Sequence, residues 1–350
     1  MILAVDLGTS EFRSLARGRA GATRGRSGKA LAGRRCAACY VSIPSDPILE
    51  RWIARMNVDS IECEGGRVVL GETAVELAHV LRVPLIPLLW EGQVPIADPV
   101  GRQLIAAAVS ALIPPRARVA EVVLTLPGNV VDPDSQNYGF LTRLFRGLDC
   151  PVQVLHAGTA TAFASLPDRQ FTGLSINLGA AYCSGSLTRH GQPLVEMTLA
   201  AGGRTVNDRL ARVRGRFLYS RDGTRYLDLA GIEDWKRTVD LRSDPKGSPE
   251  LAALRDLYAE LARDVARKLE VELSGSRHAA RMGAGVPVVL AGGAAAMGGF
   301  DALLKEALLK VRLPFGIGRI ELLPHDPFTI PRGLLVAQER GVRGMLKRAA

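Results

Sequence analysis

Short apolar runs recur along the chain, and most of them end at a polar residue, a proline or a glycine. Runs of this kind predict strands of a buried sheet. The predicted strands are residues 2–6, 12–16, 37–43, 68–70, 122–126, 152–155, 173–177, 185–188, 194–198 and 286–291. Helical periodicity predicts helices at residues 72–81, 100–113, 135–146, 159–165, 207–213, 251–274, 300–309 and 333–347. Strands that alternate with helices predict an α/β protein.

The pattern of the first strands begins again after Pro167. Asp6-Leu7-Gly8-Thr9-Ser10 aligns with Asn177-Leu178-Gly179-Ala180-Ala181, since both follow an apolar strand and lead into a second strand. Such a restart indicates an internal duplication, so we predict two related lobes. Lobe I is expected at residues 1–166, with a small inserted subdomain at about 45–80 and a final helix from residues 331–350. Lobe II is expected at residues 167–330.

The 350-residue chain has a formal charge of +10, and part of the basic excess is local. Eight basic residues and no acidic residue lie between Arg13 and Arg35. Such a segment is typical of a solvated hairpin turn, and also of a surface that binds a membrane or nucleic acid; the sequence leaves both open. Five scattered cysteines, and apolar stretches too short or too glycine-rich to cross a bilayer, predict a cytoplasmic protein, with membrane association left open.

Two hairpin turns carry candidate chemistry. A turn that contains glycine presents backbone N–H groups to one side and can bind phosphate oxygens, so two facing turns would hold a polyphosphate from both lobes. The candidate residues are Asp6, Gly8, Thr9 and Ser10 in the first turn and Asn177, Gly179 and Ala180 in the second. Asp6 ends a strand, and its carboxylate is the candidate to hold Mg²⁺ through water.

A third buried strand, residues 286–291, ends at Gly292-Gly293-Ala294. Two glycines at a strand-to-helix switch would let a nucleoside lie flat on the backbone, at a usual ligand position of α/β folds. The alternative is that these glycines serve close packing of a helix on the sheet. Together with the two turns, the segment predicts a nucleotide site between the lobes.

These motifs resemble those of the actin-like ATPase superfamily, which includes actin, the sugar kinases and the seventy-kilodalton heat-shock proteins. The layout is most similar to that of the bacterial actin homologue MreB. The segments that carry the resemblance are residues 2–10, 122–127, 156–162, 174–185, 201–208, 232–236 and 289–299. The resemblance implies a two-lobed α/β fold of duplicated ribonuclease-H type, with ATP or ADP and Mg²⁺ in the cleft between the lobes.

The resemblance also implies roles for single residues. The further nucleotide-binding residues that it implies are Gly202, Gly203, Glu233 and Lys236. Gln136, or Asp134 if the alignment slips by two residues, is expected to position the attacking water. The second turn departs from the family pattern, because Asn177 stands where an aspartate is usual and a threonine hydroxyl is missing. ATP hydrolysis is therefore expected to be slow, or lost with binding retained.

Three classes of function fit this reading. A filament-forming cytoskeletal ATPase is favoured by the chain length and by the MreB-like spacing, with a second copy of the chain as the expected partner. A non-polymerising adaptor or chaperone-like nucleotide switch, similar to FtsA, PilM or a heat-shock nucleotide domain, stays open because the second turn is altered. A small-molecule kinase is disfavoured, since no insertion for an acceptor is visible, and no small-molecule acceptor is expected.

Overall fold

The computed structural model describes residues 1–18, 31–56, 58–63, 65–115, 118–128, 135–220 and 223–342. Its strands are β1 (Ile2–Leu7), β2 (Glu11–Arg17), β3 (Leu31–Ala37), β4 (Cys39–Pro44), β5 (Ile61–Cys63), β6 (Gly66–Leu70), β7 (Ile86–Pro87), β8 (Glu121–Thr125), β9 (Val152–Val154), β10 (Gly173–Leu178), β11 (Cys183–Arg189), β12 (Gln192–Leu199), β13 (Phe217–Tyr219), β14 (Arg225–Leu227), β15 (Val286–Ala291) and β16 (Ile317–Leu322). Its α-helices are α1 (Pro47–Arg55), α2 (Glu72–Leu81), α3 (Pro99–Leu112), α4 (Gln136–Arg143), α5 (Ala157–Ser165), α6 (Gly203–Val213), α7 (Leu229–Lys236), α8 (Pro249–Ser274), α9 (Phe300–Leu309) and α10 (Thr329–Glu339). Within those described ranges, no helix combines the length and the apolar character that crossing a membrane requires.

Two five-stranded sheets repeat one topology. The strand order is β3-β2-β1-β8-β9 in the first sheet and β12-β11-β10-β15-β16 in the second. Each sheet opens with an antiparallel hairpin, and the hairpin's first strand then pairs in parallel with a strand from much later in the chain. A further parallel strand closes each sheet. The predicted α/β class and the predicted duplication are therefore confirmed.

The two faces of each sheet pack against different layers. Leu3 of β1 lies in a core with α3 and α4, whereas Ala4 lies in a core with α5 and α10. In the second sheet Ile176 packs with α6 and α8, whereas the Ser175 hydroxyl donates to the carbonyl of Gly158 in α5 at 2.7 Å. Since α5 contacts the second sheet, α10 contacts the first and the two helices contact each other, they form the layer that joins the sheets.

Glycines let this joining layer pack closely. A Cβ atom on Gly333 of α10 would lie 1.8 Å from the carbonyl oxygen of Ala160 in α5. A Cβ atom on Gly158 would lie 2.7 Å from the carbonyl carbon of Gly185 in β11. Both distances are shorter than any side chain tolerates. Glycine is therefore required where α5 crosses α10 and where α5 packs on the second sheet.

The strand predicted at residues 37–43 does not belong to the first sheet. β3 is the strand that pairs with β2, and β4 lies in a separate four-stranded sheet of order β5-β6-β4-β7. The apolar pattern misses β3 because its first five residues, which include Arg34 and Arg35, are exposed. The helices α1 and α2 cover the small sheet. The predicted lobe boundaries stay a prediction.

Candidate functional site

Asp6 is held by partners on both neighbouring strands. It lies in β1 on the face of Ala4, toward α5 and α10, and is 4% exposed. Its Oδ1 accepts a hydrogen bond from Thr125 Oγ1 at 2.7 Å, and its Oδ2 accepts from Arg13 Nη1 at 3.1 Å. The Nε of Arg13 also donates to Glu11 Oε2 at 2.7 Å. Burial raises the pKa of Asp6 although Arg13 and Thr125 oppose this effect, so the partners compensate the burial only in part.

Asn177 in β10 occupies the position equivalent to that of Asp6 in β1. Its cross-strand neighbours are Ser184 in β11 and Ala291 in β15, at the places that Arg13 and Thr125 occupy in the first sheet. The three positions of the second sheet are therefore uncharged. The two sheets share this backbone arrangement, and only the first carries charges at these positions.

The two hairpin turns share one geometry. In each, a Cβ atom on the glycine would crowd the carbonyl oxygen three residues later, at 2.9 Å for Gly8 and 3.1 Å for Gly179. Thr9 is buried, Ser10 is exposed and Ala180 is partly buried. Both turns therefore depend on glycine at the same point, as the alignment of the two halves predicts.

The start of α6 packs on the second turn. The N–H of Gly203 donates to the carbonyl of Gly179 at 3.0 Å, and the next N–H along the chain donates to Ala180 O at 2.8 Å. A Cβ atom on Gly202 would lie 2.5 Å from both of these carbonyl oxygens, and one on Gly203 would lie 3.0 Å from Cβ of Ala294. The structure thus brings these five predicted residues together, and the two α6 glycines serve the backbone contact.

Gly292 and Gly293 have different surroundings. Gly292 has φ +100°, and a Cβ atom there would lie 2.2 Å from the carbonyl oxygen of Leu178. Gly293 is exposed, and a Cβ atom there would meet no atom within 4 Å. Gly292 is therefore required by the close approach of the β10 backbone, whereas Gly293 leaves a stretch of bare backbone open.

Glu233 and Lys236 lie on α7 and share one buried partner. Lys236 is 7% exposed; its Nζ donates to Asn207 Oδ1 at 2.9 Å and to Glu233 Oε2 at 3.2 Å. The Nδ2 of Asn207 donates to the same Glu233 oxygen at 2.8 Å, and Lys236 Nζ lies 5.7 Å from the centroid of the Tyr258 ring. Burial alone would raise the pKa of Glu233, but Lys236 and Asn207 hold it below its ordinary value.

The predicted water-positioning residue lies at the start of α4. Gln136 is exposed, and its Nε2 donates to the carbonyl of Val94 at 2.9 Å. The next residue, Asn137, is buried, accepts from Val94 N at 2.9 Å and donates to Gly92 O at 2.7 Å. Asp134, the alternative candidate, lies outside the described residues. The catalytic role of either residue stays a prediction.

Tyr182 crosses from the second turn to the first lobe, and the sequence does not predict this. Its Oη accepts a hydrogen bond from Gln93 Nε2 at 2.7 Å. A Cβ atom on Gly92 would lie 2.3 Å from the tyrosine ring and 3.3 Å from Thr9 Oγ1, and one on Gly128 would lie 3.5 Å from the tyrosine Oη. The tyrosine therefore packs against two glycines beside the first turn and links the two turns. An aromatic residue at the place of the usual threonine was the available signal.

The comparisons with known proteins decide the family. A family model described as Volactin matches residues 1–338. The chain belongs to the Volactin family. A comparison with curated proteins found no match.

Solved structures place the Volactin-family chain in the actin-like fold. A MamK double helical filament is 18% identical, with 97% of this chain and 98% of that chain covered and a TM-score of 0.66. MreB5 of Spiroplasma citri bound to ADP is 12% identical, with 97% of each chain covered and a TM-score of 0.64. A non-polymerising MamK mutant bound to AMPPNP is 17% identical, with 96% and 98% covered and a TM-score of 0.54. The predicted actin-like, two-lobed fold is confirmed.

The basic segment of this Volactin-family chain is used within the fold where the structure describes it. Arg17 Nη1 lies 2.6 Å from Glu339 Oε1, Arg34 Nη1 donates to the carbonyl of Ala111 at 3.1 Å, and Arg35 Nε lies 3.7 Å from a carboxylate oxygen of Glu11. Residues 19–30 lie outside the described residues. Contact with an anionic surface stays a prediction.

The residues of the cleft fit Mg²⁺ poorly. Both carboxylate oxygens of Asp6 already accept hydrogen bonds, one of them from a guanidinium, and Asn177 has no charge. In the described part of the chain, no group of three or more His, Cys, Asp or Glu side chains is placed to hold a metal ion. Mg²⁺ at a nucleotide is usually held by phosphate oxygens, waters and one or two carboxylates, and the Asp6 carboxylate is already paired. The metal role of Asp6 stays a prediction, and its partners do not favour it.

Proposed function

We propose that this protein binds an adenine nucleotide in the cleft between its two five-stranded sheets and assembles into filaments. The observation that carries the proposal is the pair of matching glycine turns, one from each sheet, beside the open backbone of Gly293. Turns of this kind bind phosphate oxygens, and an open glycine accepts a flat ring without a steric clash. ATP and ADP are the proposed ligands.

The adenosine end is assigned to Gly293 and to the α7 pair. Glu233 and Lys236 share Asn207 and form a polar cluster whose carboxylate stays partly exposed, with 45% of the Glu233 side chain accessible. A carboxylate accepts hydrogen bonds from hydroxyl groups, which suits a ribose. The shared fold with an ADP-bound MreB5 supports this assignment.

We propose that ATP hydrolysis is slow. Asn177 brings no charge to the second turn, and the Gln136 amide is bonded to Val94 O at 2.9 Å. To orient a water molecule, Gln136 has to give up this bond, or Asp134 has to act in its place. Either requirement lowers the rate relative to a preorganised site.

We propose that the filament forms by head-to-tail contacts between copies of the chain. A body with two different ends makes heterologous contacts, and these give open polymers when the rotation does not close. The shared fold with a MamK double helical filament supports this proposal. We also propose a cytoplasmic location, since the five cysteines are all unpaired. Contact with an anionic surface is proposed for the basic segment between Arg13 and Arg35.

Sedimentation and negative-stain electron microscopy test assembly. The protein is compared with ATP, with ADP and without nucleotide, at several protein concentrations. We expect filaments that pellet only with nucleotide. In Gly293→Val the added side chain would exclude the nucleoside, so assembly of this variant should not respond to nucleotide. A protein that stays monomeric in every condition at low salt would favour the second candidate, a non-polymerising nucleotide-dependent adaptor. The observation that favours this second candidate is the uncharged second turn.

A further inference from the structure

Arg13 lies where it can meet a phosphate. It is the cross-strand partner of Asp6 in the β1–β2 hairpin. Because side chains alternate along a strand, it shares a face with Leu15, whose core includes α5 and α10. This face is turned toward the layer that joins the two sheets. The guanidinium therefore lies on the inner face of the first sheet, close to the first glycine turn.

The guanidinium keeps an open side. Its Nη1 lies 3.1 Å from Asp6 Oδ2 and its Nε 2.7 Å from Glu11 Oε2. Among the described residues, no side chain accepts a hydrogen bond from Nη2, and 22% of the Arg13 side chain is accessible. Arginine has five N–H donors in a planar fork that matches phosphate oxygens. Two carboxylates thus orient the fork and leave donors for an anion.

The same contacts occupy the group that would hold a cation. The carboxylate of Asp6 is paired with Arg13 on one oxygen and with Thr125 on the other. Across the cleft, the equivalent positions are Asn177, Ser184 and Ala291, which carry no charge. Phosphates need positive charge, and Arg13 carries one beside the first turn, where it is shared with the carboxylates of Asp6 and Glu11.

We propose that Arg13 neutralises the phosphates of the bound nucleotide, so that binding does not require Mg²⁺. The inference rests on the proposed nucleotide binding and departs from the metal dependence that the sequence predicts. It also explains the Asp6–Arg13 pair: the carboxylate orients the arginine that binds the phosphates, and it does not hold a metal ion.

Calorimetric titration with ADP and with ATP, in excess Mg²⁺ and in EDTA, tests the proposal. For the unaltered protein, we expect the dissociation constants in the two buffers to agree within about threefold. Arg13→Gln should weaken binding in EDTA by about 10- to 100-fold, the usual effect of losing a charge-assisted hydrogen bond. The same change frees Asp6, so Mg²⁺ should restore part of the affinity of this variant.

Two further variants control the test. Arg13→Lys keeps the positive charge without the planar fork, so its affinity in EDTA should lie between those of the unaltered protein and of Arg13→Gln. It serves as the test if Arg13→Gln does not fold by circular dichroism. Arg17→Gln removes an arginine from the same face of β2 that pairs with Glu339, and it should leave both titrations unchanged. Its effect separates loss of a particular arginine from loss of general positive charge.

Three outcomes would overturn the inference. Nucleotide binding by the unaltered protein that is lost in EDTA would show that a metal is needed, while the proposed nucleotide function would stand. Unchanged affinity of folded Arg13→Gln in EDTA would place the neutralising charge elsewhere. Absence of binding in both buffers would refute the proposed function itself, and the inference with it.

Discussion

Gly293 and Gly292 are neighbours, but the same substitution should act on binding at one and on folding at the other. A side chain at Gly293 meets open space, so Gly293→Val should change the free energy of unfolding by no more than about 0.5 kcal/mol. At Gly292 the φ of +100° and a contact of 2.2 Å with Leu178 O would be forced on a β-branched residue. Backbone strain and overpacking together predict a loss of about 2–6 kcal/mol for Gly292→Val.

Gly293→Val should weaken nucleotide binding directly. Three added carbons would occupy the place of the nucleoside, and displacing a well-packed group costs about 1–3 kcal/mol, or about 5- to 150-fold in the dissociation constant. Calorimetry with ADP measures this, and thermal unfolding without ligand measures the stability. Gly275→Val is the matched control, since Gly275 is also open and lies at the end of α8. Normal ADP affinity in folded Gly293→Val would refute the assignment of the nucleoside to this backbone.

Three further predictions concern single side chains. Asn177→Asp restores a carboxylate opposite Asp6 and should raise ATP turnover in Mg²⁺ by about tenfold or more, measured as phosphate release; a slower folded variant would contradict our reading of the second turn. Tyr182→Phe loses the 2.7 Å hydrogen bond from Gln93 and should lower the free energy of unfolding by about 0.5–1.5 kcal/mol, whereas the exposed Tyr219→Phe should change thermal unfolding little. Burial lowers the pKa of His156, so as pH falls below 6.5 the unfolded chain takes up a proton before the folded chain does. The free energy of unfolding should therefore decrease from pH 6.5 down to the lowered pKa. The same pH dependence of unfolding in folded His156→Gln would contradict this.

Local signals account for what the sequence predicted well. β15 and α9 are found at the predicted residues, because a buried apolar run and a helical period are both properties of a short segment. The duplication was visible for the same reason, since each turn has its glycine at the same offset from its strand. Gly8 and Gly179 show that the offset reflects one backbone geometry.

Long-range packing accounts for what the sequence missed. Tyr182 and Gln93 are separated by 89 residues, so no local pattern joins them. Arg13 counted only as part of a basic segment, and the register of β1 with β2 was needed to pair it with Asp6. The edge strand β3 is exposed and partly basic, so it has no apolar alternation to detect.

The family resemblance identified residues that the spacing of motifs alone would not have identified. Glu233 and Lys236 came from the family pattern, and the structure adds that Asn207, 26 residues before the glutamate, joins them. The partners of Asp6 qualify the same pattern, because a paired carboxylate is a poor site for a metal ion. The family motifs thus indicated the two turns, and the charges beside them had to be obtained from the fold.

Titration of the unaltered protein with ADP in a calorimeter tests whether an adenine nucleotide binds between the two sheets. We expect saturable binding of one ADP per chain, together with a higher unfolding temperature in the presence of ADP. Titrations without binding heat at several temperatures, with no change in the unfolding temperature, would contradict it.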